Sequence, residues 1–121
     1  MKLVIFGSRS IDNYDEVKAI LTETINYMWP QDIEEIVSGG ARGADHIGEK
    51  WAAEHGLPVT MFIADWDKYS KAAGPLRNQD MAEYADAGLA IWDGESKGTL
   101  DMLDRMYRLK KHVTVIQQEE D

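Results

Sequence analysis

The sequence lacks cysteine and has few basic residues and no long apolar run. With no cysteine among its 121 residues, disulfide bonds, thiol catalysis and thiolate zinc sites are excluded. It has 13 lysines and arginines against 22 aspartates and glutamates, a net charge of -9, which opposes non-specific binding to nucleic acids or anionic membranes. The first apolar run, residues 3–6, is far shorter than a signal-peptide core or a membrane span. We therefore expect a cytoplasmic protein with no membrane partner.

The composition and the apolar pattern are those of one soluble globular domain. Hydrophobic residues make up 44% of the chain and charged residues 29%, which is too apolar for a disordered protein. Short apolar runs predict five buried strands, over residues 3–6, 33–38, 59–63, 87–92 and 112–116. Apolar residues spaced three or four apart predict four helices between them, over residues 13–29, 43–55, 75–86 and 99–110.

The ends and faces of these helices can be predicted in part. Asn13 is expected to cap the first helix, and Gly56 to end the second in a left-handed conformation. Pro75 is expected to be the first residue of the third helix. For the fourth helix the pattern places three side chains inside, namely Leu100, Leu103 and Tyr107.

Strict alternation of strands and helices predicts an α/β fold, a Rossmann-like doubly wound domain with a mainly parallel five-stranded sheet and helices on both faces. Right-handed crossovers favour the strand order 3-2-1-4-5. We expect a single domain over residues 1–117 and an acidic tail over residues 118–121. Self-association is a further expectation, because the chain holds more aromatic residues and methionines than a small core needs.

Ligands of open parallel sheets bind beyond the carboxyl ends of the strands, near the point where strand order reverses. The loops expected at that edge are GSRS (7–10), SGGARGAD (38–45), ADWDKYSKAAGPLRN (64–78) and WDGESKGT (92–99). They hold most of the glycines and three of the five arginines, namely Gly7, Gly39, Gly40, Gly43, Gly74, Gly94 and Gly98 with Arg9, Arg42 and Arg77. This concentration predicts a site for an anionic ligand.

The segment SGGARGAD matches neither a Walker A loop nor a Gly-x-Gly-x-x-Gly fingerprint. Its third glycine, Gly43, is expected at a helix start, where free amides attract an anion and missing side chains allow close approach. A tight turn without a ligand is the alternative. Asp45 falls in the first helical turn, either as a capping charge or as an acceptor for a ribose hydroxyl.

The other loops also carry groups that suit a phosphate. Arg77 is expected in the first turn of the third helix, where the helix dipole disfavours a cation, so an anionic partner would explain it. The alternative partners are the carboxylates of Asp65, Asp67 or Asp80. Ser96, Lys97 and Thr99 lie at the predicted start of the fourth helix, and Ser8 and Ser10 follow the first strand, where capping is the alternative role.

Two kinds of site find no support in the sequence. The three histidines lack metal-ligand spacing and there is no Gly-x-Ser-x-Gly elbow, so we predict no metal, no other cofactor and no Ser-His-Asp triad. Trp66 and Trp92 lie in the loops at the predicted site and could stack on a base, with packing as the alternative.

Together, in this order, GSRS, SGGARGAD, AGPLRNQDM and WDGESKGT resemble the YspA/cpYpsA-related family of the SLOG superfamily, which also contains the DprA proteins and the LOG phosphoribohydrolases. The resemblance covers essentially the whole chain. It implies a Rossmann-like fold and a pocket for a nucleotide or nucleotide-derived ligand. The implied binding positions, with Lys97 added from its own pattern, are Gly7, Ser8, Arg9, Gly39, Gly40, Arg42, Gly43, Asp45, Gly74, Arg77, Asn78, Lys97, Gly98 and Thr99.

One departure from the superfamily concerns catalysis. The LOG enzymes carry Pro-Gly-Gly-x-Gly-Thr-x-x-Glu, whose glutamate serves cleavage of the base–ribose bond, and the matching position here is Met102. Asp101 comes one residue early, which turns it by about 100° on a helix. The LOG arrangement is therefore not expected. The remaining candidate carboxylates for acid–base catalysis are Asp45, Asp93, Glu95 and Asp101.

Three functions remain open from the sequence. The leading hypothesis is a binding or sensing domain for a nucleotide or nucleotide-derived small molecule. The alternatives are an enzyme acting on the N-glycosidic bond, of phosphoribohydrolase or deoxyribosyltransferase type, and a DprA-like accessory protein for single-stranded DNA. A nucleic-acid partner is disfavoured by the charge of -9 and by the lack of a basic stripe.

Overall fold

The computed structural model describes residues 1–118 as alternating strands and helices. The elements are β1 (Lys2–Gly7), α1 (Tyr14–Met28), β2 (Glu35–Ser38), α2 (Ala44–Glu54), β3 (Val59–Met61), α3 (Trp66–Tyr69), a 3-10 turn (Ser70–Ala72), α4 (Ala73–Tyr84), β4 (Ala87–Trp92), α5 (Lys97–Arg108) and β5 (Val113–Gln117). Most of the predicted acidic tail, residues 119–121, lies outside the described residues. Within residues 1–118 no helix combines the length and the apolar character needed to cross a membrane.

The five strands form one parallel sheet in the order β3-β2-β1-β4-β5, which confirms the predicted order. The chain builds outward from β1 through β2 to β3, and then returns to the other side of β1 to add β4 and β5. Strand order therefore reverses between β1 and β4, where Val4 lies opposite Gly88 and Gly7 opposite Ile91. The loops that leave these two strands diverge, and a crevice opens between them.

Alternating side chains of the central strands supply two cores, one on each face of the sheet. Leu3 and Ile5 of β1 pack in the cluster that holds Leu21 of α1 and Trp51 of α2. Val4 and Phe6 point the other way, into the cluster of α4 and α5, which includes Met81, Met102 and Met106. Burial of each large apolar side chain contributes about 1.5–3 kcal/mol, so this two-sided packing is what fixes the sheet.

The helix ends follow local chemistry at α1 and α2, while α4 and α5 both begin two residues earlier than predicted, at Ala73 and Lys97. The Asn13 carboxamide accepts a hydrogen bond from the Glu16 N–H at 3.4 Å, and Gly56 has the left-handed φ of 68° expected after α2. Helix α4, however, begins at Ala73 rather than Pro75, because the 3-10 turn leads directly into it. Proline is still tolerated, since N–H groups of a first turn have no helical partner. Arg77 consequently lies two residues further into the helix than predicted, in its second turn.

The predicted inner face of α5 is wrong for Leu100 and Tyr107, whereas Leu103 is partly buried against the core. Its buried residues are Thr99, Met102 and Met106, whereas Leu100 and Tyr107 are 55% and 81% exposed. The cause lies on β4. Gly88 has no side chain, and a Cβ there would lie 3.2 Å from the Cε of Met106. The space that this glycine leaves is therefore filled by a methionine from α5.

Candidate functional site

A cleft of about 650 Å³ opens where strand order reverses, at the carboxyl ends of β1 and β4. Its walls come from the loops that follow β1, β2 and β4, and from the amino-terminal halves of α4 and α5. The floor is apolar, formed by Phe6, Met81 and Met102, and polar side chains surround the rim. This main cleft lies at the edge of the sheet that the sequence predicted.

Three arginines line the main cleft, one from each of three segments. Arg9 and Arg42 are exposed, and Arg77 is half-buried, with its Nη1 donating to the Gly39 carbonyl at 2.8 Å and its Nε to the Asn78 carboxamide at 3.1 Å. Among residues 1–118 no carboxylate oxygen lies within 4.0 Å of any of the three guanidinium groups. The predicted salt-bridge alternative for Arg77 is thus not found, and the rim carries positive charge available to an anion.

Asp45 is the most enclosed charged group of the cleft, with 6% of its surface exposed. It accepts a hydrogen bond from the Ala41 N–H at 3.1 Å. Burial raises the pKa of Asp45 to about 6, against the lowering effects of that hydrogen bond and of Arg77. A carboxyl with this pKa changes its charge close to neutral pH, which is the behaviour required of a general acid or base.

Gly39 gives Asp45 and Arg77 the room to approach each other. A Cβ at position 39 would lie 2.7 Å from the Arg77 Nη1 and 2.9 Å from the Asp45 Oδ2. Burial lowers the pKa of Arg77, Asp45 opposes this, and the positive charge of Arg9 adds to the lowering. Asp45 and Arg77 therefore interact electrostatically with each other, and the positive charge of Arg9 lies nearby.

Asp93 holds the loop after β4 in shape. Its Oδ1 accepts hydrogen bonds from the N–H groups of Glu95 and Ser96, at 2.8 and 2.9 Å, and its Oδ2 accepts one from the Ser10 hydroxyl at 3.2 Å. These backbone hydrogen bonds lower the pKa of Asp93. The Ser8 hydroxyl accepts from the Asp93 N–H at 3.0 Å, so Ser8 joins the first and fourth loops beneath the cleft. Asp93 is a fixed, charged acceptor in the cleft wall.

Two of the predicted binding glycines serve the packing of the chain against itself. A Cβ at Gly7 would overlap the carbonyl of Ile91 on the neighbouring strand. A Cβ at Gly43, which has a φ of 80°, would overlap the carbonyl oxygens of Ser8 and Arg9. The SGGARGAD corner is consequently a tight junction between the first two loops, and the side chains it presents are those of Arg42 and Asp45.

At Gly74 the missing side chain makes room for another side chain, and at Gly98 it leaves open space. Gly74 packs against Trp66, whose Cη2 would lie 3.3 Å from a Cβ at that position. Gly98 lines the main cleft in the first turn of α5, and no heavy atom lies within 4 Å of where its Cβ would be. Its missing side chain therefore leaves space facing the cleft, and a ligand could approach the helix start there.

Asp101 lies beside the cleft rather than in its wall. Its carboxylate accepts from both Nε and Nη2 of Arg105, at 2.9 and 3.2 Å, and from the Asn78 Nδ2 at 2.9 Å. Although burial raises the pKa of Asp101, these hydrogen bonds lower it overall. The carboxylate thus ties α5 to α4, while its neighbour Met102 occupies the cleft floor.

The structure brings together eight of the fourteen predicted binding residues in the main cleft, namely Gly7, Arg9, Arg42, Asp45, Arg77, Asn78, Gly98 and Thr99. Gly39 and Gly40 line a neighbouring, second cleft. The predicted residues outside both linings are Ser8, Gly43, Gly74 and Lys97, with Glu95 and Asp101 among the catalytic candidates.

Sequence reasoning missed part of the cleft lining. Asp12 and Ala41 went unassigned, although both lie within or next to the loops at the predicted edge. The apolar floor was missed because Phe6 belongs to a run predicted as a buried strand and Met81 was given no role. Of the two tryptophans, Trp66 lines the second cleft, while Trp92 donates its indole N–H to the Ser96 carbonyl at 3.2 Å. Within residues 1–118 there is no group of three histidine, aspartate or glutamate side chains able to hold a metal ion.

Comparison with known proteins supplies relatives for the sequence and for the fold. The family model "YspA, cpYpsA-related SLOG family" matches residues 1–69. The Gene 61 protein of Mycobacterium phage D29 is 46% identical over 70 residues, which are 53% of this chain and 56% of that protein. The X-ray structure of DNA processing protein A (DprA) from Streptococcus pneumoniae superposes with a TM-score of 0.69 at 20% identity, covering 98% of this chain and 50% of that one. The chain thus spans about half the length of each, and the likeness to DprA is one of fold.

Proposed function

The chain belongs to the YspA, cpYpsA-related SLOG family, and from this premise we propose that its main cleft binds a nucleotide or nucleotide-derived ligand, as a binding or sensing domain. One observation carries the proposal. Three arginines line a single cleft, with no carboxylate within 4.0 Å among residues 1–118, in a chain whose net charge is -9. Guanidinium groups without a carboxylate partner keep N–H donors free for an anion, and phosphate groups suit guanidinium forks.

The remaining walls of the cleft suit the rest of a nucleotide. Asp93 is an ionised acceptor and Asp45 a second carboxyl group, and both could accept hydrogen bonds from ribose hydroxyls. The apolar floor offers a surface for a base. The main cleft has a volume of about 650 Å³, which falls in the range of roughly 300–1,000 Å³ typical of small-molecule sites. In this arrangement the phosphates lie at the arginines and the sugar near the carboxylates.

Isothermal titration with adenosine, AMP, ADP and ATP tests the proposal. We expect affinity to rise with the number of phosphates and to fall with added salt, because the arginines supply the attraction. Arg42→Ala should weaken ADP binding by about tenfold, the loss expected for one charge-assisted hydrogen bond of about 1.5 kcal/mol. Arg42 is exposed and makes no ion pair among residues 1–118, so the fold should tolerate the change.

Arg108→Ala is the matched control. Arg108 is also an exposed arginine, but it pairs with Asp104 at 3.0 Å near the far end of α5. Its loss should leave ADP affinity within about twofold of the parent protein. Equal weakening by the two substitutions would mean that net charge alone attracts the nucleotide. If none of the four compounds binds, the proposal is wrong.

A second candidate function is cleavage or transfer at the N-glycosidic bond, and Asp45 favours it. This carboxyl lines the cleft and has its pKa raised to about 6, so it could donate a proton to a departing base. The side chain at the LOG glutamate position, Met102, cannot take that part. Liquid chromatography of AMP and dAMP incubated with the protein tests this candidate. Release of adenine that Asp45→Asn abolishes supports it, and recovery of intact nucleotide after many hours contradicts it.

A further inference from the structure

A second cleft, of about 360 Å³, adjoins the main cleft across the arginines. The two clefts share Arg9, Ala41, Arg42 and Arg77, so the guanidinium groups stand between them. A phosphate group bound at the arginines would therefore face both clefts. A nucleotide would fill only one of them and leave the other open.

The outer wall of the second cleft is apolar and aromatic. Trp66 is 51% exposed and Ile63 is 68% exposed, and both line the same cleft. The edge of the Trp66 indole rests against Gly74 of α4, which holds the ring in place without covering it. Gly40, with a φ of 70°, has no side chain, and a Cβ there would lie 2.7 Å from the Cδ1 of Ile63. The wall is thus a supported, partly uncovered aromatic surface beside a cationic centre.

We propose that the second cleft holds the second base of a dinucleotide, which stacks on Trp66 while the bridging phosphates lie at Arg9, Arg42 and Arg77. The ligand class is a dinucleoside diphosphate, with one nucleoside in each cleft. This proposal rests on the proposed nucleotide binding and adds to it the second half of the ligand. A planar base suits an indole face, and stacking on an aromatic side chain is tolerant of the base's identity.

The charge around the second cleft favours a short ligand over a nucleic-acid strand. Residues 65–71, which continue from the cleft wall, carry two aspartates and two lysines and so offer no net positive charge. A longer phosphate chain would leave the arginines and meet a chain with a net charge of -9. A dinucleotide instead ends in an uncharged nucleoside at Trp66.

Titration with ADP and with P1,P2-di(adenosine-5′) diphosphate separates the two clefts. Both compounds carry one diphosphate, and ADP has the greater negative charge, so any gain by the dinucleotide comes from its second adenosine. We expect the dinucleotide to bind about tenfold more tightly, which corresponds to about 1.4 kcal/mol. Trp66→Ala should remove most of this gain and leave ADP affinity within about twofold.

Tyr69→Ala is the matched control, since Tyr69 is an exposed aromatic residue on the same short helix outside both cleft linings. Ile63→Ser provides a second variant should Trp66→Ala disturb the packing on α4, because Ile63 is largely exposed and serine adds no charge beside the arginines. This variant should also lower dinucleotide affinity selectively. Trp66→Phe should keep part of the gain, because a flat ring remains.

The outcomes distinguish the two proposals. If ADP binds but the dinucleotide binds no more tightly, or if Trp66→Ala weakens both ligands equally, the second subsite is wrong and the nucleotide site stands. If neither compound binds, both proposals are wrong. If an eight-residue oligodeoxyadenylate binds more tightly than the dinucleotide and depends on Trp66, the occupant is a nucleic-acid strand and the proposal is overturned.

Discussion

Replacing Asp45 by asparagine should change how the stability of the protein depends on pH. The carboxyl group is 6% exposed, and burial raises its pKa from the ordinary value of 3.8 to about 6. The folded chain therefore holds this proton more tightly than the unfolded chain does. Asparagine keeps an oxygen to accept the Ala41 N–H but cannot ionise, so the comparison isolates the charge.

The size of the effect follows from the shift in pKa. A rise from 3.8 to about 6 is roughly 2.2 pKa units, and at about 1.36 kcal/mol per unit it corresponds to about 3 kcal/mol. Because the folded-state pKa is raised, the contribution to stability is fully present below about pH 4 and is lost as pH rises through about 6. Above that pH the buried charge remains, and Arg77 offsets only part of its cost.

Urea unfolding of both proteins between pH 4 and pH 8 measures the effect. Asp93 and Asp101 have lowered pKa values, so they stabilise with rising pH, but they do so equally in both proteins and cancel in the difference. The free energy of unfolding of the variant should rise by about 2.5 kcal/mol relative to that of the parent protein between pH 4 and pH 8, with most of the change between pH 4 and pH 6. A difference that stays constant across this range would refute the assignment of a raised pKa to Asp45.

Three further predictions test the glycines of the site and one distant contact. Gly39→Ala should destabilise the protein by about 1–3 kcal/mol in urea and weaken ADP binding, because the new Cβ would displace Arg77 and Asp45; unchanged affinity would count against that geometry. Gly98→Ala should raise the free energy of unfolding by up to about 1 kcal/mol, through helix propensity, while lowering ADP affinity in titration. Equal affinity there would show that no ligand approaches this turn. Lys111→Met should lower the free energy of unfolding, measured in urea, by about 2 kcal/mol without changing ADP affinity. The reason is that the ammonium group of Lys111 donates to three carbonyl oxygens at the end of α4.

The sheet and its functional edge could be predicted because they depend on rules that act over the whole chain. Five apolar runs separated by amphipathic segments leave few arrangements once every crossover is right-handed. The carboxyl ends of the strands then share one edge, whatever the exact ends of the helices. Arg9 and Arg42 follow β1 and β2, and Arg77 lies in the first half of α4, yet all three meet at that edge.

The buried face of α5 could not be predicted because two sets of residues have the same helical spacing, one with Leu100 and Tyr107 and one with Thr99 and Met106. Leu100 and Tyr107 are more apolar than Thr99, and periodicity alone favours them. What decides is the facing surface, where Gly88 leaves a space that Met106 fills. A sequence pattern records which residues share a face but not which face meets a matching partner. Met102 lies on the same buried face of α5 as Met106, and its side chain therefore reaches the cleft floor.

The roles of the loop glycines also needed the structure. A glycine pattern predicts close approach, but the approaching group can be the chain itself, as the carbonyls facing Gly7 and Gly43 show. The first amide of α2 belongs to this packing too, since the Ala44 N–H donates to the Ser8 carbonyl at 3.1 Å. Any anion at this corner therefore depends on guanidinium groups more than on a bare backbone cradle.

This dependence on side chains has a consequence for how the site would respond to a ligand. A phosphate at the arginines would weaken the support that Arg77 gives to the charged form of Asp45, and so raise the pKa of Asp45 further. Binding of the phosphate would then take up a proton near neutral pH. A ribose hydroxyl donated to Asp45 would have the opposite effect, because a hydrogen bond to the carboxylate favours its charged form. Titration of ADP at pH 6 in buffers of different ionisation enthalpy, into the parent protein and into Asp45→Asn, separates the cases, because the difference removes the protons exchanged by the terminal phosphate of ADP, whose pKa is about 6. Proton uptake that depends on Asp45 places the phosphate nearest this carboxyl group, and release that depends on it places the sugar there.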